Sequence, residues 1–290
     1  MPELPEVEVI VRGLNKKIRG LTISNIQINF PSIIKGMNPY GIRWFKGKTI
    51  NKIQRHGKFI SIEFVGGHKI LMHLCMSGKL LVLPKNGELP KHSHLIFDFE
   101  NYDNSLIFND VRRFGKIIYS FAGDYLVDEK LSGLGVDPLE MTEEQFVEII
   151  QSHRKMIKSL LLSQAVISGL GNIYVDESLF DAGIHPMNLS NEIEREQIIK
   201  LYHSIQKILL AAIEAGGSTI DSFRNEEGKK GTFQFQHRIY GKYGEKCPKC
   251  GNTIIKINVA GRTSSVCTTC QVPPAPRPTA RVFRECWWGQ

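Results

Sequence analysis

The sequence predicts an α+β protein: an N-terminal helix with an antiparallel β-sandwich, then a helical region, then a small cysteine-bearing β unit. Three observations predict it. Apolar and polar residues alternate in short runs between residues 26 and 121, the period of half-buried strands. Apolar residues recur at three- and four-residue spacing between residues 142 and 215, the period of amphipathic helices. Cys247, Cys250, Cys267 and Cys270 form two C-x-x-C pairs separated by sixteen residues.

Residues 3–18 read as the first helix. Val7, Ile10, Leu14 and Ile18 share one stripe, and Glu3, Glu6 and Glu8 sit in the first turns, where negative charge suits the helix dipole. The period then shortens. Ile26, Ile28 and Phe30 alternate, as do Phe59 to Val65 and Lys69 to Leu74. Further runs follow at 80–83, 95–99, 106–108 and 117–121, with Gly, Asn, Asp and Pro between them. Many short strands with turn punctuation predict an antiparallel sandwich or barrel. Ser132 to Pro138 reads as a linker. Helices are predicted over 142–152, 155–166, 172–181 and 190–215, the last stopped by Gly216-Gly217. Residues 218–243 are polar, Gly-rich and basic, the composition of a mobile loop. The tail from Val272 to Gln290, with its prolines and Cys286-Trp287-Trp288, fits none of these patterns and is set aside from the fold.

The chain has 290 residues, with 37 Lys+Arg against 29 Asp+Glu for a net charge of +8. That length suits two modest domains, and 42% hydrophobic residues can bury a core. No run approaches about 18 apolar residues, so a membrane span is not expected. Met1 to Glu6 lacks a basic region followed by an apolar run, so no secretory signal is expected either. The basic excess makes a polyanionic partner plausible. No heptad stripe suggests a partner helix, and a monomer is expected.

The cysteine pattern carries a definite chemistry. In a chain without a secretory signal, four clustered thiols read as metal ligands rather than disulfides. Two knuckles at this separation match a structural zinc ribbon, in which four thiolates close a tetrahedron and leave no open position for catalysis. A redox dithiol would need only one reactive pair. Between the pairs, residues 254–259 read as a hairpin strand and 260–263 as its turn. Arg262 at that tip is either a phosphate contact or a solvated turn residue.

The N-terminus carries a second possibility. Removal of Met1, favoured by a small second residue, would leave Pro2 with a free secondary amine. An α-amino group titrates at roughly 7.7–8.0, so part of it is neutral near pH 7 and can attack an aldehyde-like carbon. Glu3 could then shuttle protons, and Glu6 could orient the site. On residue types alone, the commoner reading is a frayed terminus opening a helix.

Met1-Pro-Glu-Leu-Pro-Glu-Val-Glu8 resembles the opening of the formamidopyrimidine-DNA glycosylases. His73-Leu-Cys-Met-Ser-Gly78, Asn109-Asp-Val-Arg-Arg-Phe-Gly115, Gly169-Leu-Gly-Asn-Ile-Tyr-Val-Asp-Glu177 and the cysteine segment are similar to the same family in the same order. The likeness covers residues 2–271. It implies a bifunctional glycosylase and AP lyase for oxidised purines in duplex DNA. It also implies a catalytic β-sandwich domain over 1–130 and a helix–two-turn–helix domain with a lesion loop over 131–243. A zinc ribbon over 244–271 and an unexplained tail over 272–290 complete the expected division. A bacterial cytoplasmic, nucleoid-associated enzyme is the expected setting.

The resemblance also implies roles. Pro2 becomes the nucleophile, Glu3 the general acid/base and Lys58 the lysine beside the lesion phosphate. Met76, Arg112 and Phe114 fill the space left by the extruded nucleotide, a step that base chemistry within a duplex requires. Each is chemically suited: Met adapts, Phe wedges between bases, and Arg can pair with an orphaned base edge. Lys158, Asn172 and Arg262 become further DNA contacts, while Tyr174 and Glu177 become structural supports. Residues 217–235 match the loop that closes over the flipped base. Asp221 stands where the family often has a basic residue, and Ser163 where it usually has Asp. The related endonuclease VIII-like enzymes, which act on oxidised pyrimidines, usually carry Gly where this chain has Leu4 and lack the Met/Arg/Phe set. A non-catalytic zinc-ribbon protein that binds damaged DNA is the alternative from another class.

Overall fold

The computed structural model describes residues 1–274. Helix α1 (Leu4–Ile18) opens the fold. Glu3 is its N-cap, and a reciprocal capping box joins Glu3 and Glu6, satisfying amides that a helix start leaves free. Eight strands follow: β1 (Ile23–Ile28), β2 (Ile50–His56), β3 (Phe59–Phe64), β4 (Lys69–His73), β5 (Gly78–Pro84), β6 (Ser93–Phe99), β7 (Asn104–Asp110) and β8 (Lys116–Ser120). They form two four-stranded antiparallel sheets, ordered β1-β6-β7-β5 and β2-β3-β4-β8. The predicted sandwich is therefore present. Its core holds Phe45, Phe64, Phe97, Phe99 and Phe108 together with the stripe Val7, Ile10, Leu14 and Ile18 of α1.

The second half is helical: α2 (Leu126–Ser132), α3 (Glu143–Gln151), α4 (Ile157–Leu161), α5 (Asn172–Ala182) and α6 (Arg195–Glu214). These helices enclose a second core around Tyr174, Leu179, Leu201 and Leu209, to which α1 adds Leu4. Helix α1 thus belongs to both cores. Helix α2 lies in a stretch to which the sequence pattern assigns no element. Two expectations need correction. The helix expected over 155–166 is only the five residues of α4. Beyond it the Gln164 side chain binds the carbonyls of Leu162 and Leu170 and the amide of Gly169, bending the chain into a turn that contains Ser163. The helix expected over 190–215 is divided, with a 3-10 turn at Ser190–Glu192 before α6.

Strands β9 (Ile255–Val259) and β10 (Arg262–Val266) form the last hairpin. Its two-residue turn has left-handed backbone at Ala260 and Gly261, as a tight hairpin requires. The segment expected to be a mobile loop is held down instead. The Val82 amide donates to the Glu226 carbonyl at 2.8 Å, Phe223 enters the sandwich core, and Lys17 pairs with Glu227 at 2.8 Å. Val272, placed with the tail by sequence, bridges to Ile184. Cys286, Trp287 and Trp288 lie outside the described residues.

Candidate active site

A cleft of about 680 Å³ lies between the sandwich and the helical region. Pro2, Glu3 and Lys58 line it together, although the three come from the N-terminus and the β2–β3 turn. Met76 and Arg112 line it from the sandwich side, and Asn172 and Arg262 from the opposite side. In the chain as written Met1 precedes Pro2, so a free proline amine exists only after Met1 is removed.

Glu3 is held at the N-terminus of α5. Its carboxylate accepts from the backbone amides of Ile173 at 3.2 Å and Tyr174 at 3.4 Å, where the helix dipole favours negative charge. Two glycines permit this approach. Gly169 has φ +90° and its carbonyl accepts from the Leu4 amide at 3.0 Å. A Cβ at Gly171 would overlap the Glu3 carboxyl group. The Gly-Leu-Gly segment is therefore a seat for the N-terminus.

Glu6 does not line the cleft; it lies directly behind Glu3. Its carboxylate accepts from the Glu3 amide at 2.8 Å, the Tyr174 hydroxyl at 2.5 Å and the Ser218 amide at 2.7 Å. Burial pushes its pKa up to about 7, and the nearby Glu3 charge adds to this, against those same hydrogen bonds. Glu6 thus joins α1, α5 and the start of the 217–235 loop. Glu177 does the equivalent for the chain after His237, accepting from the amides of Arg238, Ile239 and Tyr240. Tyr174 and Glu177 are structural supports, as expected.

Lys58 is buried against the cleft. Burial draws its pKa down, the Arg262 charge acts the same way, and Glu3 and Glu6 oppose both. Met76, Arg112 and Phe114 form a single exposed cluster. An Arg112 guanidinium nitrogen lies 3.3 Å from the Met76 sulfur, and the guanidinium caps the Phe114 ring at 4.7 Å.

One expected DNA contact is placed differently, and a second is partly engaged. Lys158 is completely buried. Its ammonium donates to Asp176 at 2.6 Å, to the Thr263 carbonyl at 3.2 Å and to the Ser264 hydroxyl. A charge taken from water needs partners, and these occupy the group expected to reach phosphate. Lys158 ties α4 to α5 and the final hairpin. Asn172 lines the cleft, but its amide donates to the Thr263 carbonyl at 3.0 Å, so one of its two amide hydrogens is already engaged.

The four cysteines converge. Their sulfurs all lie within 4.8 Å of one another, with Cys247–Cys270 at 3.8 Å and Cys250–Cys267 at 3.5 Å. A tetrahedron with Zn–S bonds of ~2.3 Å has S···S edges of about 3.8 Å, so the donor set fits zinc. The four thiolates hold one structural zinc ion and fill its coordination sphere.

Residues 1–117 match the formamidopyrimidine-DNA glycosylase N-terminal domain, and residues 134–224 match the H2TH domain of the same enzymes. Residues 244–272 match the zinc finger found in FPG and IleRS. The chain belongs to the formamidopyrimidine-DNA glycosylase family. Among glycosylases of that name, the Rickettsia canadensis protein is 38% identical over 273 residues, which is 93% of this chain and 99% of the relative. The Carboxydothermus hydrogenoformans protein is 39% identical over 274 residues, 93% of this chain and 100% of the relative. A Lactococcus lactis FPG variant, solved with Fapy-dG-containing DNA, superposes with a TM-score of 0.86 at 37% identity, over 94% of this chain and all of that one. MutM in complex with carbocyclic 8-oxo-G DNA gives 0.85 at 37% identity, with 94% of this chain covered and 100% of that one.

Within this family frame, sequence reasoning missed Asp110 and Ser77. Both are buried under the Met76/Arg112/Phe114 cluster. Asp110 stands inside a quoted motif, but its partner Ser77 is 33 residues away. No local pattern announces that contact.

Proposed function

We propose that this protein is a bifunctional DNA glycosylase and AP lyase that removes oxidised purines, 8-oxoguanine and formamidopyrimidines, from duplex DNA. The observation that carries this reading is the convergence of Pro2, Glu3 and Lys58 in one cleft bordered by Met76 and Arg112. Family relatives solved with Fapy-dG, 8-oxo-G and abasic-site DNA support it.

In the proposed reaction the nucleotide is extruded into the cleft. The neutral amine of a processed Pro2 attacks the anomeric carbon. A C–N bond forms, the glycosidic bond breaks and the base departs. Sugar-ring opening gives an imine, and β,δ-elimination then cuts the strand on both sides. Glu3 moves protons as general acid/base, with Glu6 supporting it from behind. Lys58 and Arg262 supply positive charge for phosphates. Met76, Arg112 and Phe114 occupy the vacated stack. The four cysteines would hold zinc in a closed tetrahedron with no open position for substrate; the hairpin between the two pairs carries Arg262 and, through Thr263 and Ser264, holds Lys158 and Asn172.

The proposed partner is double-stranded DNA with a damaged base or abasic site, met by a monomer in a bacterial cytoplasm or nucleoid. No helix among the described residues is long and apolar enough to cross a membrane.

Borohydride trapping on abasic-site DNA tests the reading, with N-terminal processing verified by mass spectrometry. A covalent adduct through Pro2 is expected. A processed sample that binds DNA without forming an adduct would support a non-catalytic damage-binding protein. Faster cleavage of thymine glycol than of 8-oxoguanine opposite cytosine would favour the endonuclease VIII-like alternative, which Leu4 and the Met76/Arg112/Phe114 set argue against.

A further inference from the structure

The Met76 and Arg112–Phe114 loops are joined beneath their exposed tips by one buried carboxylate. Asp110, at the end of β7, has no solvent exposure. One of its oxygens accepts from the Ser77 hydroxyl and from the Arg112 amide at 3.2 Å, and the other from the Gly115 amide at 2.7 Å. The Ser77 hydroxyl in turn accepts from the Arg112 amide at 3.2 Å. Asp110 therefore reaches the residue after Met76, the backbone of Arg112 and the residue after Phe114.

Backbone conformation points the same way. Cys75, just before Met76, and Arg113, between Arg112 and Phe114, hold left-handed backbone with φ of 54° and 60°. Non-glycine residues adopt it only where their surroundings hold them there. Gly115 has its own constraint: a Cβ there would strike the Phe108 ring. On the outer side, the Ser222 hydroxyl of the 217–235 loop donates to the Met76 carbonyl at 3.3 Å.

We propose that Asp110 is a positioning residue for damage recognition: with Ser77 it fixes the two tip loops as one preformed unit, so that Met76, Arg112 and Phe114 enter the duplex together and Arg112 meets the orphaned base in a set orientation. This rests on the proposed role of the three tip residues. A carboxylate suits the task because it accepts from all three donors at once. An Asn has one acceptor oxygen, so its amide nitrogen would confront the backbone amide of either Gly115 or Arg112, and in the latter case Ser77 would have to turn its hydroxyl round to accept.

The test compares wild type, Ser77→Ala, Asp110→Asn and Arg112→Ala. Affinity is measured for duplexes holding a tetrahydrofuran abasic analogue opposite cytosine or adenine, and for the same analogue in single-stranded DNA. Ser77→Ala and Asp110→Asn should each lower the cytosine-over-adenine ratio about two- to tenfold, the worth of one hydrogen bond, while single-strand affinity stays at the wild-type value. Ser77→Ala removes one hydroxyl and keeps the test open if Asp110→Asn fails to fold. Wild-type ratios in Ser77→Ala, alongside a collapsed ratio in Arg112→Ala, would overturn the proposal. So would an equal loss of single- and double-strand affinity, which a purely structural role predicts. Failure of the enzyme reading itself would appear separately, as absence of borohydride trapping in wild type.

Discussion

Gly171 and Glu3 compete for one volume: a Cβ on residue 171 would occupy the space of the Glu3 carboxyl group. The obstructing atoms are the far end of a flexible side chain, so Gly171→Ala should cost little stability. It should displace the carboxylate from the amides of Ile173 and Tyr174. Base excision is expected to fall roughly 10²-fold, the lower range for a lost general acid/base, with a melting temperature close to wild type. Single-turnover excision of 8-oxoguanine beside a thermal melt checks this. Wild-type excision would mean that Glu3's seat does not matter.

Glu3→Gln keeps the shape and removes the ionisable group. Excision should drop by roughly 10²–10⁴-fold while affinity for lesion DNA changes little. Gel-shift and single-turnover assays on one preparation decide it. Normal excision would remove Glu3 from the chemistry.

Glu6 gives a signed pH dependence. Its folded pKa is raised to about 7 from 4.5. The folded protein therefore binds a proton that the unfolded chain releases earlier. Its contribution is fully present below about pH 4.5 and is lost as pH rises through 7, on the order of 3 kcal/mol in total. When Glu6 is protonated, Tyr174 can turn its own hydroxyl hydrogen toward the Ser218 oxygen, 3.3 Å away, and accept from Glu6. Burial also lowers His73 and His237 to about 4, and these lose stability as pH falls from 6.5 toward 4. The difference between wild type and Glu6→Gln isolates the Glu6 contribution. In urea melts the variant should lose less stability than wild type between pH 5 and 8. Parallel pH profiles would contradict the raised pKa.

Lys158 should behave as a buried tie. Lys158→Met would leave Asp176 as an uncompensated buried charge, costing about 3–5 kcal/mol. The slope of log affinity against log salt should not change, whereas losing a phosphate contact would reduce it by about one. A reduced slope with little loss of stability would restore the direct DNA contact.

Zinc removal should act through the same region. Cys247→Ser, or chelation of the wild type, should release the β9–β10 hairpin and with it Thr263 and Ser264, the partners of Lys158 and Asn172. One zinc per chain is expected in wild type, with loss of duplex binding on its removal. Elemental analysis and gel shift read both. Full zinc content in Cys247→Ser would contradict the four-thiolate site.

Much of this arrangement was legible in the sequence, for local reasons. The α1 stripe, the alternating strands and the C-x-x-C pairs each repeat within a few residues, and Pro2 and Glu3 are chemically conspicuous at a terminus. What stayed hidden depends on distant partners. Lys158 reads as a DNA contact until Asp176 and the final hairpin close over it. The helix expected over 155–166 stops at Leu161 because the Gln164 amide finds three backbone partners that periodicity does not reveal. Residues 218–243 look like a mobile loop from composition, yet Phe223 and Glu226 fasten them to the sandwich. Asp110 and Ser77 lie in separate motifs and meet only across the β5–β7 pair.

Helix α1 serves two cores, giving Val7 and Ile10 to one and Leu4 to the other. This has a consequence for the order of events during synthesis. Glu3 has no seat until Ile173 and Tyr174, 170 and 171 residues further along the chain, have been made and folded. The sandwich core likewise waits for Phe223, so neither core that α1 serves is complete before the second half of the chain is present.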